Sequence, residues 1–291
     1  MTTGTTTLAE ALAQARGRLA EAGLPDAAIE ARLLIGGLLG LSGTEVFTGG
    51  DRVLRGDEQA RITNAVERRL KREPVHRILG SREFHGMDLL LSKETLEPRP
   101  DTEILVDSLL PHVRRIVAAK GAARLLDLGT GTGAIILALL KESPEATGIG
   151  SDISEDALRT AAGNAARTGL AERFEAIRSD WFENISGRFD IIVSNPPYIR
   201  SDVIPSLEPE VRDFDPPAAL DGGPDGLSPY RAIAAGAGDF LEKDGVIGVE
   251  IGFDQKEAVT AIFRSAGFEP VQAARDYGGN DRVLVFTVKE P

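Results

Sequence analysis

Three short stretches of this sequence hold residue types whose spacing could do chemistry. The first is Asp127-Leu128-Gly129-Thr130-Gly131-Thr132-Gly133-Ala134. Glycines let a backbone turn sharply and approach a ligand closely. A helix opening directly after them offers its free N–H groups to that ligand. The second is Asp152, which lies 25 residues beyond Asp127. A carboxylate at the end of the next strand can accept hydrogen bonds from ribose hydroxyls. Gly129, Gly131 and Ala134 also satisfy the dinucleotide pattern G-x-G-x-x-G/A. The loop therefore leaves two ligands open, a nicotinamide or flavin cofactor and S-adenosylmethionine. A tight turn that binds nothing fits less well, because strand, glycines, helix and acid coincide.

The third stretch is Ser194-Asn195-Pro196-Pro197-Tyr198-Ile199. Two prolines after an apolar strand stop the ladder and stiffen the backbone that follows. Neither proline donates a hydrogen bond, so the Pro196 carbonyl is available to point into a cleft. Asn195 adds a side-chain carbonyl beside it, and Tyr198 offers a face for a flat group. Two acceptors a few ångströms apart suit a planar NH₂. An amide or aromatic amine nitrogen is a poor nucleophile because its lone pair is delocalised. Accepting both its hydrogens fixes it and stabilises positive charge as a methyl group arrives, which is alignment plus electrostatic preorganisation. A strand end followed by a plain Pro-Pro turn is the alternative. The placement three strands after the glycine loop, at the carboxyl edge where such sheets bind ligands, argues for the site.

These groups must be held by elements, and the sequence predicts two kinds. Residues 1–80 read as a small helical domain. Thr7 and Glu10 have capping-box spacing, and Leu8, Leu12, Ala15 and Leu19 follow at helical intervals. Gly23 and Pro25 end that helix. A second helix is expected from about Asp26 to Leu39, and a third from an Asp57 cap through Arg72. Arg68, Arg69, Lys71 and Arg72 at its end suit the helix dipole or an anionic partner. Residues 81–100 read as a hairpin and a Pro-rich hinge, and residues 101–291 as the catalytic domain. There strands at 124–128, 147–151, 174–177, 189–194 and 245–251 alternate with helices at 134–141, 155–167, 229–241 and 255–266. A closing pair spans 270–274 and 282–288, and a long loop spans 195–226. Such alternation predicts an α/β fold, a doubly wound and mostly parallel sheet with helices on both faces.

Composition narrows the function classes. The chain has 291 residues, 42% hydrophobic, with no cysteine. Disulfides, thiolate metal sites and a cysteine nucleophile are excluded. His76, His85 and His112 have no metal-ligand spacing, so no metal is expected. The longest apolar run, residues 33–41, falls far short of the roughly 20 residues of a membrane span. The N-terminus lacks a basic and an apolar region, so a cytoplasmic protein is expected. Net charge is −12. Residues 1–90 carry 12 basic and 12 acidic residues, and the remainder 21 basic and 33 acidic. An acidic catalytic domain argues against a surface that tracks a nucleic-acid backbone, so direct DNA binding is not expected.

At this point the sequence resembles a known family. Asn195-Pro196-Pro197-Tyr198 with Gly129–Gly133 is similar to methyltransferases that act on a planar amino nitrogen. More closely it resembles the HemK family, which methylates the side-chain N5 of glutamine in the GGQ motif of peptide-chain release factors. The likeness spans nearly the whole chain. It includes Phe84-His85-Gly86, Glu97-Pro98-Arg99-Pro100-Asp101-Thr102-Glu103, Asp215-Pro216-Pro217-Ala218-Ala219-Leu220 and Gly279-Asn280-Asp281-Arg282. His85 departs from the aromatic residue or glycine expected there. The resemblance implies a Rossmann-like methyltransferase fold and S-adenosyl-L-methionine as cofactor. It implies that Gly129, Thr130, Gly131, Thr132, Gly133 and Asp152 hold the methionine and ribose parts, with Trp181 flanking the adenine. It implies that Asn195 and Pro196 grip the glutamine amide, with Pro197 and Tyr198 lining the pocket and Asn195 also near the cofactor. Arg99 and Glu103 are expected to be structural or lid-like, Glu250 is left open, and Asn280 and Arg282 are expected to order the last turn. The partner implied is a release factor, bound by a monomer through the helical N-domain. A ribosomal-protein glutamine and the N6 of adenine remain rival substrates, and a nicotinamide oxidoreductase or a nucleotide sensor remains the rival class.

Overall fold

The structure, a computed structural model, describes residues 6–289. The chain divides into two compact units with the boundary between Ser81 and Arg82. The first is helical: α1 (Leu8–Glu21), α2 (Ala27–Leu39), α3 (Gly43–Thr48), α4 (Gly56–Leu70) and α5 (Val75–Leu79). Thr7 closes a capping box with Glu10, as its spacing predicts, and Ser42 closes another with Glu45. Leu8, Ala15 and Leu19 bury one stripe of α1 against Leu34, Ile35, Ile62 and Val66. A buried Arg69 holds Glu30 through two bonds, Nε to Oε2 at 2.8 Å and Nη2 to Oε1 at 2.9 Å. Arg68 pairs with Glu73. Two cations of the basic run are therefore occupied inside the unit.

α4 corrects the sequence reading. Arg55, not Asp57, stands at the N-cap, and Asp57 lies in the first turn. The Glu58 carboxylate accepts the Arg55 N–H at 2.9 Å, which starts the helix earlier. Its end comes at Leu70, and Arg72 sits beyond it at φ +70°.

The second unit opens on a hairpin, β1 (Ser81–Phe84) and β2 (Met87–Leu90). A 3₁₀ turn, Pro100–Thr102, leads into α6 (Glu103–Lys120). Then follow β3 (Ala123–Leu128), α7 (Ala134–Glu142), β4 (Ala146–Asp152), α8 (Glu155–Arg167), β5 (Phe174–Arg178) and β6 (Phe189–Ser194). The long loop holds only the four-residue α9 (Pro209–Arg212) and short 3₁₀ turns. α10 (Ser228–Phe240), β7 (Leu241–Glu250), α11 (Lys256–Ser265), β8 (Phe268–Arg275) and β9 (Asp281–Val288) complete it. The sheet order is β5-β4-β3-β6-β7-β9-β8, parallel from β5 to β7, with β9 antiparallel to both β7 and β8.

Side chains of the central strands alternate between two cores, as a sheet covered on both faces requires. Leu125, Ile191, Val193 and Val246 meet α6 and α7 on one face. Leu126, Ile192, Ile247 and Val249 meet α10 and α11 on the other. This is the doubly wound arrangement. No described helix is long and apolar enough to cross a membrane.

Two features were not foreseen. The sequence reading leaves residues 104–122 without an element; in the structure α6 fills that stretch, runs through Pro111 and buries Leu105, Leu109 and Val113. Residues 82–100, expected as a separate hinge, belong to the second unit. Phe84, Met87 and Leu89 are buried in the α6–α7 core. Asn164 on α8 fastens β2 with its whole side chain. Its Oδ1 accepts from Leu90 N at 2.8 Å, and its Nδ2 donates to Leu90 O at 3.1 Å and Thr132 O at 2.9 Å. Asn164 is fully buried, so Asn164→Ala strands backbone groups away from water. The expected loss is about 2–4 kcal/mol of unfolding free energy, measured by urea titration. A loss under about 0.5 kcal/mol would mean water replaces those bonds.

Candidate active site

The strand order reverses between β3 and β6, and loops leaving two such neighbours open a crevice at the carboxyl edge. Here that crevice is a cleft of about 470 Å³ in the second unit. Gly129, Thr130, Gly131, Thr132, Asp152, Trp181, Asn195 and Pro197 all line it. The structure thus brings together residues that the sequence separates widely.

The glycine loop is built on its neighbour strand. Gly129 N and Thr130 N donate to Ser151 O at 2.8 and 2.9 Å. Gly129 and Gly131 take φ of +71° and +55°, a region that side chains rarely adopt. A Cβ on either would meet no protein atom within 4 Å. The Thr132 and Ala134 N–H groups meet no acceptor among the described residues. Gly133 lies outside the lining; it is the N-cap of α7 at φ +81°, where a Cβ would press on Leu137.

Asp152 Oδ2 accepts from Gly131 N at 3.0 Å, and Oδ1 accepts from Ser154 N at 2.9 Å. Burial raises its carboxyl, and these backbone bonds oppose the rise. Trp181 follows β5 at φ +47°, an uncommon conformation for an indole-bearing residue. Ser179 Oγ holds that turn by donating to Trp181 O at 2.9 Å and accepting from Asn184 N at 3.0 Å. Ile153 also faces the cleft, and 54% of it is exposed.

Asn195 stands one residue past β6, and its Nδ2 donates to Thr102 Oγ1 at 3.3 Å. Among the described residues no donor meets the Pro196 carbonyl. Pro196 and Tyr198 do not reach the lining of the cleft. Pro196 is buried, and the Tyr198 ring packs against the α10–α11 core. Burial and the neighbouring Glu250 carboxyl push the Tyr198 phenol up to about 12. Gln255 fixes this stretch through Nε2 to Tyr198 O at 3.0 Å.

Four groups escaped sequence reasoning or were left undecided by it. Thr102 and Arg99 line the cleft, and Arg99 Nη2 is held by a buried Asp215 at 2.7 Å. Glu103 is structural, since its Oε1 accepts the His85 N–H at 2.8 Å in the hairpin turn. Glu250 is buried, accepts from Thr102 Oγ1 at 2.7 Å, and is pushed by burial up to about 7. Asn280 and Arg282 order the last turn by converging on Asp276. Only the fold, not residue chemistry, could reveal Thr102 beside Asn195. Among the described residues no group of three or more His, Asp or Glu could hold a metal.

Known proteins match this chain along its length. A release factor glutamine methyltransferase of Agrobacterium fabrum is 64% identical over 97% of this chain and 98% of its own. That of Caulobacter vibrioides is 43% identical over 99% and 98%. The chain belongs to the release factor glutamine methyltransferase family. Residues 10–80 match the PrmC N-terminal domain model, and residues 100–205 the methyltransferase small domain model. A methyltransferase of Pyrococcus furiosus shares the fold, at TM-score 0.53 and 16% identity over 81% of this chain and all of that one.

As a methyltransferase this chain uses S-adenosyl-L-methionine, and the cleft fits that group. Open space stands where a Cβ would fill the Gly129–Gly131 cradle. A carboxylate, free N–H groups and an exposed isoleucine beside an indole supply a surface for a ribose, a polar tail and a flat ring.

Behind the loop, Thr130 Oγ1 donates to Asp127 Oδ2 at 2.8 Å. Asp127 is fully buried, and burial pushes it from 3.8 to about 7. A carboxyl raised by folding binds its proton more tightly in the native state. It therefore costs no stability below about pH 4, and destabilises increasingly as pH climbs through about 7. Asp127→Asn removes the charge and keeps the shape. Its melting temperature should exceed the parent's at pH 8, with the gap closing near pH 4. Parallel melting curves across that range would show that Asp127 ionises normally.

Proposed function

We propose that this chain transfers a methyl group from S-adenosyl-L-methionine to the side-chain amide N5 of the glutamine in the GGQ motif of peptide-chain release factors. The observation that carries the reading is the meeting of Asn195 and Pro197 with the glycine loop, Asp152 and Trp181 in one cleft. The named relatives are release factor glutamine methyltransferases, and the cleft supplies what that reaction needs.

The cofactor supplies an electrophilic methyl group. The protein supplies position. Gly129, Gly131 and Thr132 cradle the methionine portion, and Asp152 accepts from the ribose hydroxyls. Trp181 and Ile153 flank the adenine. Asn195 Oδ1, at the cleft, accepts one N–H hydrogen of the glutamine amide; the Pro196 carbonyl next to it, which lies behind the lining and meets no donor among the described residues, is the acceptor we assign to the other. They would align its nitrogen and stabilise positive charge as its C–N bond forms at the expense of the donor's methyl–sulfur bond, after which one N–H proton leaves to solvent. Tyr198, packed against the core and beside Glu250, stiffens the turn that carries these acceptors. The helical first unit holds none of these groups, and we assign it to docking of the release factor. We read the chain as a cytoplasmic monomer that does not bind DNA directly; the acidity of residues 91–291 supports the last point.

Labelled S-adenosylmethionine offered with purified release factors, a ribosomal protein and DNA tests this directly. Label should enter the release factor, and mass spectrometry should place it on the GGQ glutamine. Label in adenine or in ribosomal protein instead would replace the reading.

Single substitutions separate binding from transfer. Asp152→Ala should weaken cofactor binding by calorimetry, since each charge-assisted bond lost is worth about 1.5–3 kcal/mol at most. Asn195→Ala should slow single-turnover transfer by about 10²–10³-fold while cofactor binding largely survives. Asn195→Asp keeps an acceptor of equal reach and should retain more activity than the alanine variant. Equal rates for the alanine variant and the parent would reduce Asn195 to a strand terminator.

A further inference from the structure

An asparagine amide can be turned over with little change of shape, and its hydrogen bonding then reverses. For Asn195 the difference matters. Its oxygen facing the cleft would accept from an incoming NH₂, whereas its nitrogen there would oppose one. Neighbouring groups impose the choice. Asn195 Nδ2 donates to Thr102 Oγ1 at 3.3 Å, and Thr102 Oγ1 donates to Glu250 Oε2 at 2.7 Å. A hydroxyl has one proton. With that proton given to a carboxylate, Thr102 can only accept from Asn195. Both ends of the relay are fixed. Thr102 is buried in the turn before α6, and Glu250 is buried at the end of β7, where Tyr230 Oη donates to its backbone oxygen at 3.0 Å.

We propose that Thr102 and Glu250 are positioning residues that hold the Asn195 amide with its oxygen towards the cleft, and so make the site accept a glutamine amide and reject a carboxylate. This rests on the glutamine reading above. The relay depends on the charge of Glu250, whose neighbours are Thr102 and Asp101 from the turn before α6, Tyr198 from the loop after β6, and Arg282 from β9. A protonated Glu250 would donate to Thr102. The threonine proton would then be free for Asn195 Oδ1, and the amide would turn its NH₂ to the cleft. Burial pushes Glu250 up to about 7, with Thr102 and Arg282 opposing, so the relay weakens as pH falls through that value.

Thr102→Val keeps the shape of the side chain and removes its hydroxyl. Its kcat should fall about 10–100-fold with KM for release factor within about threefold of the parent's. Cofactor affinity by calorimetry should stay within about threefold, which also shows that the variant is folded. Thr102→Ser should restore kcat to within about threefold of the parent. The second readout is binding without turnover, in the presence of S-adenosylhomocysteine. The parent should bind release factor carrying glutamine in GGQ more tightly than the same factor carrying glutamate. Thr102→Val should narrow that ratio by about fivefold or more. Glu250→Gln keeps an acceptor that does not titrate, and should flatten the acid limb of kcat near pH 7. A valine variant with the parent's kcat and selectivity, a serine variant as slow as valine, or an unchanged acid limb overturns the relay. The parent's own transfer is measured first, so failure of the glutamine reading would appear there, before any variant, and would take the relay with it.

Discussion

The parallel register of four strands sets the height of every group in the cleft. Leu128 pairs with Ser151, Asp127 with Val193, and Ser194 with Val249. The Asp127–Val193 pair puts Leu128 level with Ser194, and one residue past Leu128, Ser151, Ser194 and Val249 stand Gly129, Asp152, Asn195 and Glu250, so four loops begin at one level. A slip of one residue in any strand would send its terminal side chain to the opposite face. Packing forbids the slip, because Leu125 and Leu126 must enter different cores. Hydroxyls lock the ends further. Ser194 Oγ donates to Leu128 O at 2.6 Å, and Ser151 Oγ donates to Asp127 O at 3.3 Å.

That shared level is where the sheet stops being apolar. Beneath it the central strands present aliphatic side chains to both faces. Glu250 at it, and Asp127 two residues below Gly129, are buried carboxyls, and burial lifts both to about 7. Such groups cost stability, and they stay because strand ends are where helices and loops can supply partners. Asp152 lies at the same edge but takes two backbone donors from its own surroundings.

Much of this was legible before any coordinates. The glycine loop, Asp152 and the Asn-Pro-Pro turn lie within local patterns of strand, turn and helix, and local patterns survive in sequence. The end of β6 was legible for the same reason, since Pro196 stops it, and the helix expected at 155–167 is α8, which the structure shows capped by Ser154. What stayed hidden is long-range. Thr102 and Asn195 are 93 residues apart, and Thr102 and Glu250 148 apart, so no spacing rule joins them. α6 stayed hidden because tertiary burial of Leu105, Leu109 and Val113 outweighs the interruption at Pro111. The cap of α4 was misplaced because Glu58 reaches back to Arg55, a pairing that composition does not favour over Asp57.

One arrangement occurs twice around the cleft. Thr130 stands between the cleft and Asp127, and Thr102 between the cleft and Glu250. Both threonines line the cavity, and neither carboxyl does. In each case a buried carboxylate takes the hydroxyl proton and leaves oxygen lone pairs for other donors. The charge of these two carboxylates is held one group back from the cleft, unlike that of Asp152, which lines it at the end assigned to the ribose. That suits a reaction between a cationic methyl donor and a neutral amide. A carboxylate in direct contact would stabilise the donor before reaction as much as the transition state, and so would not raise the rate. Neutral acceptors held in fixed orientation act instead on the charge that appears on the amide nitrogen as the bond forms. The threonines therefore convert two costly buried charges into oriented, uncharged acceptors, and the register of the sheet delivers them to the same edge.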